Sequence, residues 1–349
     1  MQIPFEHRQS AHCESGVTSN LLFHHGVIIS EDMAFGVGAG FFFAYLPFIK
    51  VNKLPLTTYR AEVGGIFKRL TKKLGVGVHW QKFRDPLQAM DALDRKLEEG
   101  IPVGCRTGGY WLPYFPSAFR FHFNMHNLVV IGKNGDDYLI SDPVFPEPER
   151  CARKDLMKAR FAKGAMAPKG TMYYLTHVPD HIELNAAIIK GIKEVCRRML
   201  KTPGPVIGIR GIRFLANQVE KWPQKLGKRK ASLYVGQVIR MQEELGTGGA
   251  GFRFMYSAFL QEAAGVLKED RLLEISRKMT EDGDRWREFA VIGSRICKNR
   301  ASESENYSAM ADILRDCASR EEEIFKDLWA LIDRSGFKAS DHVQRQGAS

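Results

Sequence analysis

The sequence has no apolar run of the length that a membrane-crossing helix needs, about 20 residues. The richest stretch, Val37 to Ile49, is shorter and is broken by Gly38, Gly40 and Pro47. Met1 to Ser15 carries charge and lacks an apolar signal core, so neither export nor a membrane span is expected. No two of the six cysteines (Cys13, Cys105, Cys151, Cys196, Cys297 and Cys317) stand at C-x-x-C spacing. That argues against a zinc site and against a disulfide framework, and it suits a reducing cytoplasm. There is no internal repeat and no low-complexity tract. Acidic residues are also short: 40 Asp and Glu against 51 Lys and Arg leave a net charge of +11. Such an excess favours an acidic partner, and nucleic acid, an anionic membrane surface, an acidic carrier protein and coenzyme A all answer to it.

What is present is the composition of an ordinary globular protein, 44% hydrophobic and 26% charged. A length of 349 residues exceeds what one core usually needs, so two domains are expected. The pattern changes near residue 180, where a Pro and polar residues interrupt it. The expected domains are therefore 1–180, with short β-like runs among helices, and 181–349, almost wholly helical.

In the first part, Ser15 to His25 reads as a helix with Val17, Leu21 and Leu22 on its apolar face and Gly26 after its end. Ser30-Glu31-Asp32 resembles a second helix start. Val63 to Leu74 and Pro86 to Glu99 have amphipathic spacing and are closed by Gly75 and Gly100. Strands are expected over Gly77–Phe83, Ile101–Thr107, Asn127–Gly132, Tyr138–Ser141 and Gly170–Val178. The third and fourth of these flank Asn134-Gly135, a strong hairpin signal. The fold class is thus α+β, with early helices against a mainly antiparallel sheet. The second part reads as helices near Glu183–Leu200, Gly208–Trp222, Lys230–Leu245, Phe252–Leu267, Asp270–Lys298 and Glu303–Ile332.

Cys13 lies at the start of the first helix, where peptide N–H groups and the helix dipole favour a thiolate, the reactive form. A turn centred on Asn134-Gly135 makes paired residue numbers sum to roughly 268–269, so His126 faces Asp142 or Pro143 across antiparallel neighbours. A carboxylate there fixes the tautomer of His126 and stabilises its cation, as in nucleophile triads. Cys13, His126 and Asp142 are the candidate catalytic residues. The Cys13 backbone N–H, with Gln9 or His12, is a candidate for stabilising an oxyanion, and Asn127 for touching substrate.

The order of Cys at a helix start, His at a strand head and Asp closing the hairpin resembles the papain-like fold, especially bacterial leader-processing peptidases. Leu93 to Glu99 followed by Gly100-Ile101-Pro102-Val103 matches the helix and strand that precede His in that group. Two positions depart from it: Glu14 replaces the Gly after the nucleophile, and His7 stands where a helper Gln is usual.

A closer resemblance covers nearly the whole chain. His12-Cys13-Glu14-Ser15-Gly16, Ile29-Ser30-Glu31-Asp32-Met33 and Phe35-Gly36-Val37-Gly38-Ala39-Gly40 resemble the N-terminal domain of the butirosin-biosynthesis BtrH family. Gly248-Gly249-Ala250-Gly251-Phe252-Arg253 and Tyr256-Ser257-Ala258-Phe259-Leu260 resemble the helical domain often fused after it. The resemblance implies acyl transfer from a carrier-protein thioester or acyl-CoA to an amine, with a phosphopantetheine-linked donor as substrate and no resident cofactor. It does not specify the acyl group. Two rival readings remain: a cysteine peptidase or amidase with the same triad, and a non-catalytic carrier-binding protein. The oligomeric state is open, a homodimer included.

Other signals weigh less. Gly36-Val37-Gly38-Ala39-Gly40 follows a helix and lacks both the acidic residue of a dinucleotide site and the Lys of a phosphate loop, so a close-packed turn beside the active-site helix is expected. His122 and His126 fall on one strand face, a weak metal signal, and no metal site is expected. Gly246 to Gly251 offers N–H groups ahead of a helix, so Gly249, Gly251 and Arg253 are donor-binding candidates; a simple helix-closing loop is the alternative. The basic clusters Arg150–Lys169 and Lys221–Lys230 are read as solvated surfaces attractive to an acidic carrier. Aromatics suited to base stacking are scarce there, so nucleic acid is not expected.

Overall fold

The structure, a computed structural model, describes residues 1–334, 343 and 344, apart from 52, 118, 119, 121, 123 and 245. Along the chain come α1 (Cys13–His24), α2 (Glu31–Val37), β1 (Phe41–Val51), β2 (Leu54–Arg60) and α3 (Gly65–Lys73). Next are β3 (Gly77–Gln81), α4 (Pro86–Glu98), β4 (Val103–Thr107), β5 (His126–Asn134), β6 (Asp137–Ser141) and β7 (Glu149–Ala152). Then follow α5 (Arg153–Arg160), β8 (Met172–His177), α6 (Leu184–Lys201), α7 (Gly208–Leu226) and α8 (Lys228–Glu243). The last helices are α9 (Arg253–Leu267), α10 (Arg271–Cys297) and α11 (Tyr307–Arg334). The α+β reading holds, with antiparallel sheets and a helical C-terminal region. No helix among the described residues is long and apolar enough to cross a membrane.

Two compact units form, and a single cut near residue 180 does not describe them. One comprises Met1–Ala34 and Ile66–Glu183, to which Val343 and Gln344 return by pairing with Ile182 and His181; the other comprises Phe35–Gly65 and the helices from Leu184 onward. The sequence reading had no strands between Val37 and Arg60, and the β1–β2 hairpin there belongs to the helical unit. Side-chain chemistry explains this membership. Phe41 of β1 and Tyr59 of β2 lie 4.9 and 5.4 Å from the Arg253 guanidinium, whose third aromatic neighbour is Trp286 at 4.3 Å. Cation–π attraction of this kind strengthens when it is desolvated. The glycine-rich turn is close-packed as expected, and its neighbour is α9: a Cβ on Gly36 would fall 2.1 Å from the Phe259 ring.

In the first unit, six strands form an antiparallel sheet in the order β3-β8-β4-β5-β6-β7. Helix α4 is well specified locally. Asp85 caps it by accepting from the Leu87 and Gln88 N–H groups, and Pro86 takes the first turn. Met90, Leu93 and Leu97 recur at helical spacing and bury with Val103, Leu128, Val130 and Ile140 of the sheet. One carboxylate pins this helix: Asp94 accepts from Lys133 Nζ at 2.7 Å, Tyr138 OH at 2.6 Å and Arg153 Nη1 at 2.7 Å.

Burial opposes the charge on Asp94, but the hydrogen bonds from Lys133, Tyr138 and Arg153 outweigh it and hold its pKa below 3.8. A carboxyl depressed on folding stabilises the native state above its unfolded pKa and loses that contribution as pH falls through the native value. Asp94→Asn is expected to cost about 2 kcal/mol at neutral pH. Urea unfolding should show the gap between wild type and variant narrowing below pH 3.8; a gap that persists there would exclude this source.

Candidate active site

Helix α1 begins at Cys13 itself, earlier than the sequence reading placed it. His12 is its N-cap, its ring Nδ1 accepting from the Ser15 N–H at 3.3 Å and lying 2.9 Å from Ser15 Oγ. That nitrogen serves the helix start and is not offered to an oxyanion. The loop entering the helix is clamped by Glu31, which accepts from the N–H groups of Ala11 (2.8 Å) and His12 (3.2 Å). Glu14, one residue after Cys13, is fully buried and accepts from the N–H groups of Ile66 (2.8 Å) and Phe67 (3.3 Å) in the first turn of α3. It replaces a glycine with a cap for a neighbouring helix, so the departure at this position has a structural role.

A close approach brings Cys13 to the hairpin. Ser10 N–H donates to the Pro143 carbonyl at 2.6 Å, and a Cβ on Gly16 would lie 2.6 Å from Ser10 Cβ and 2.8 Å from Pro143 Cβ. Only a residue without a Cβ lets α1 sit this near the chain leaving β6. At that exit Asp142 is fully buried, and its Oδ2 lies 2.7 Å from His126 Nε2 at the head of β5. A carboxylate cannot donate, so Nε2 carries the proton. Cys13 Sγ lies 3.9 Å from the Met125 carbonyl, in the residue before His126, and it is near enough to the ring to help raise its pKa. With Nε2 committed to Asp142, Nδ1 is the nitrogen available to the thiol. Cys13, His126 and Asp142 are thus brought together.

The sequence reading reached the correct partners through the wrong register. The pairs are Val129 with Ser141, Lys133 with Tyr138 and Asn134 with Asp137, with an irregularity between Val130 and Gly132. The two-residue turn is therefore Gly135-Asp136, with Gly135 at φ +58° in its first position. Asp142 lies beyond the end of β6 and reaches His126 from there.

Several neighbours escaped the sequence reading because they come from remote segments without motif spacing. Tyr114 OH donates to Asp142 Oδ2 at 2.9 Å, and Val144 N–H donates to Oδ1 at 3.3 Å. Burial, and then the charge of Asp142, push the Tyr114 phenol well above its ordinary value, so it stays a donor. His7 Nε2 donates to the Phe145 carbonyl at 3.0 Å, and its Nδ1 lies 2.8 Å from Ser141 Oγ. With both nitrogens engaged, His7 holds the segment around Asp142 and is no substitute for a helper Gln. Phe115 meets the His126 ring edge-on at 5.1 Å and packs with Phe145 at 5.0 Å.

Asn127 is buried and oriented: Tyr173 OH donates to its Oδ1 at 2.9 Å, and its Nδ2 lies 3.3 Å from the Met125 carbonyl and 4.0 Å from Cys13 Sγ. Its amide therefore points donors towards the thiol. Gln9 is exposed, and no hydrogen bond among the described residues ties it to Cys13 or His126. His122 lies outside β5 and stacks on Tyr110 at 4.2 Å. No cluster of metal-ligating side chains occurs among the described residues.

Arg253 requires a correction. It is wholly buried, donating to Glu321 Oε1 from Nε at 3.0 Å and from Nη2 at 2.6 Å, while Trp286 Nε1 donates to the same oxygen at 2.8 Å. Its charge is spent inside the helical unit. Burial and then the Glu321 charge raise the Asp282 pKa well above the carboxylate range, against the pull of Arg253. Protonated, Asp282 can donate to Glu321, whose Oε2 has no other hydrogen-bond partner among the described residues. The glycine loop is likewise closed from within. Gly249 N–H donates to Thr247 Oγ1 at 3.1 Å, and Ala250 N–H points at the Glu243 carboxylate at 3.2 Å. A Cβ on Gly251, at φ +56°, would lie 2.3 Å from the Tyr59 ring. The loop's anion is its own Glu243, and the helix-closing alternative is the better description.

Among the cysteines, burial pushes the thiols of Cys105, Cys151, Cys196 and Cys317 upward, Cys151 to about 12. Those four are packing groups. At His126, burial would lower the pKa, but the charge and hydrogen bond of Asp142 outweigh it, Cys13 adds to them, and the ring is pushed up to about 10. The arrangement can hold an imidazolium beside Cys13 across neutral pH, and it can pass a proton between the two.

Two outcomes follow from this geometry. Arg253→Ala leaves Glu321 as an unpaired buried charge, a loss on the order of 3–5 kcal/mol. Thermal denaturation should register it, whereas a selective rise in a donor's Michaelis constant with unchanged stability would speak for a binding role. Asp142→Asn removes the main groups that raise the His126 pKa and leaves the burial that lowers it. Imidazolium-dependent alkylation of Cys13 by iodoacetamide should then disappear at a lower pH in the variant as pH rises, whereas in the wild type it persists until pH rises through about 10. Coincident profiles would remove Asp142 from the site.

Comparison with known proteins adds family membership. Residues 12–143 match the family described as butirosin biosynthesis protein H, N-terminal, and residues 154–328 match the domain of unknown function DUF4872. No curated protein sequence matches. A solved structure described as a C39-like peptidase from Bacillus anthracis is 14% identical, with 51% of this chain and 100% of that chain covered and a TM-score of 0.36. The DUF4872 match spans half of the chain, which belongs to that family, and the part before it, with Cys13, His126 and Asp142, is BtrH-like by its own match.

Proposed function

We propose that the chain is a cysteine acyltransferase that carries an acyl group from a thioester donor to an amine through an acyl-enzyme on Cys13. The observation that carries this reading is the buried His126–Asp142 hydrogen bond of 2.7 Å, with the Cys13 thiol against the residues on either side of His126, 3.9 Å from the Met125 carbonyl and 4.0 Å from Asn127 Nδ2. The BtrH match supports acyl transfer over other uses of the same three groups.

In the first half-reaction, Cys13 Sγ attacks the donor carbonyl carbon and its proton rests on His126 Nδ1. The tetrahedral oxyanion is held by the Cys13 N–H, which has no intrahelical acceptor at a helix start, and by Asn127 Nδ2. Collapse breaks the donor C–S bond, and the departing thiolate takes the proton from Nδ1. In the second half-reaction, the amine nitrogen attacks the Cys13 thioester and yields its proton to Nδ1. The C–S bond to Cys13 breaks, and Sγ recovers that proton. Asp142 holds the ring throughout, while Tyr114 donates to Asp142 and His7 braces the segment around it. The donor is an acyl carrier protein thioester or acyl-CoA, and the phosphopantetheine arm arrives as part of that substrate.

Intact-mass measurement after incubation with acyl carrier thioesters and with acyl-CoA tests the proposal. Wild type should gain one acyl increment and Cys13→Ala none. An adduct of equal extent on Cys13→Ala would refute the nucleophile. Adding amines to the acylated enzyme should discharge it to the amide faster than water does, and hydrolysis unaffected by any amine would place the chain with the hydrolases.

A further inference from the structure

The β1–β2 hairpin and the corner between α7 and α8 carry a surface that the proposed chemistry does not use. β1 falls out of register with β2 between Leu46, which pairs with Leu56, and Lys50, which pairs with Pro55. Pro47, Phe48 and Ile49 therefore form an outward bulge where Pro47 has no N–H for the ladder. Phe48 is 70% exposed and Ile49 42%. Beside the hairpin lies a groove of about 530 Å³ lined by Lys53, Leu54, Leu226, Lys228, Leu233 and Tyr234 among others. Leu233, on the first turns of α8, is 55% exposed.

Cations surround these apolar groups. Lys50, Lys53, Lys221, Lys225, Lys228, Arg229 and Lys230 are all exposed, and none takes part in an ion pair among the described residues. No Asp or Glu occurs between Asp32 and Glu62, or between Glu220 and Glu243. The acids that bound the second stretch are engaged: Glu220 pairs with Arg315, and Glu243 faces the Ala250 N–H. Elsewhere the helical unit alternates charges of both signs, as in the pairs Lys278–Asp327 and Arg285–Asp316. The acid-free patch is therefore a local feature of the surface.

We propose that this face docks the protein on an anionic lipid surface. Protruding aromatic and aliphatic side chains ringed by lysines match a bilayer, which sets a sheet of negative charge over an apolar phase. Nucleic acid fits less well. The ring best placed to stack on a base, Tyr234, already has ammonium groups over it, Lys50 at 5.5 Å and Lys230 at 5.9 Å. Phe48 and Ile49 would gain nothing from a phosphate backbone. In a bilayer each finds the environment that it lacks in the folded chain.

Co-sedimentation of the full chain with vesicles tests this. Phosphatidylcholine vesicles containing about a third phosphatidylglycerol should retain the protein, with retention weakening as salt rises, and pure phosphatidylcholine should not. Reversing Lys228, Arg229 and Lys230 to Glu should cut the partition coefficient by roughly tenfold or more. Phe48→Ser with Ile49→Ser should reduce it several-fold. All five positions are exposed, and far-ultraviolet circular dichroism verifies that each variant is folded. As a second measurement, Phe48→Trp should show blue-shifted emission on anionic vesicles and quenching by brominated acyl chains. Equal retention on neutral vesicles, retention indifferent to the charge reversals, or an unquenched Trp at 48 would overturn the proposal. So would tighter, patch-dependent binding to an acidic protein or to DNA without vesicle binding. Cys13 plays no part in the measurement, so the result is independent of the acyl-transfer reading.

Discussion

A carboxylate sealed from water, with an imidazole N–H as its donor, governs the first unit. Asp142 has no exposed surface, and a buried charge of that kind is tolerated only when its lone pairs are met. His126, Tyr114 and the Val144 N–H meet them. Each partner comes from a different segment, so satisfying one carboxylate draws the head of β5, the exit of β6 and the segment before β5 to one point. Gly16 and Ser10 then admit the start of α1 to the same point. The chemistry proposed for Cys13 depends on this polar knot more than on the thiol.

The helical unit uses a related solution for a different end. Arg253 and Glu321 neutralise each other in the interior, Trp286 donates to the pair, and aromatic faces enclose the cation. The Arg253 donors are directed at Glu321 and at the Gly251 carbonyl, within the unit that holds the β1–β2 hairpin among helices. The two clusters look alike as lists of polar residue types. They differ in that His126 keeps a ring nitrogen for the thiol, while the guanidinium of Arg253 has its charge met within the core.

Much of the arrangement was legible in the sequence. Helix periodicity and glycine stops located α4 and the long C-terminal helices, because burying one face imposes a spacing that composition preserves. The Asn-Gly signal announced the β5–β6 hairpin, and its two flanking strands brought His126 and Asp142 into consideration together. The register did not follow, since the turn moved by one residue to Gly135-Asp136 and β5 carries an irregularity between Val130 and Gly132. β1 and β2 went unseen: their ring residues fit a helical core, and nothing in the local alternation marks that partner.

Taken alone, the sequence determined an α+β fold with a helical C-terminal region, the pairing of His126 with Asp142, and Cys13 at a helix start. These depend on periodicity, turn chemistry and capping, which act over a few residues. Tertiary structure decided what each remaining polar group does. It made His12 a cap, Glu14 a cap for α3, His7 a brace for the Asp142 segment, and Arg253 a buried counter-ion. It also placed the hairpin with the helices and pushed Phe48 out among lysines. Those outcomes turn on which groups meet across long separations in the chain, where hydrogen bonding and desolvation are settled by packing.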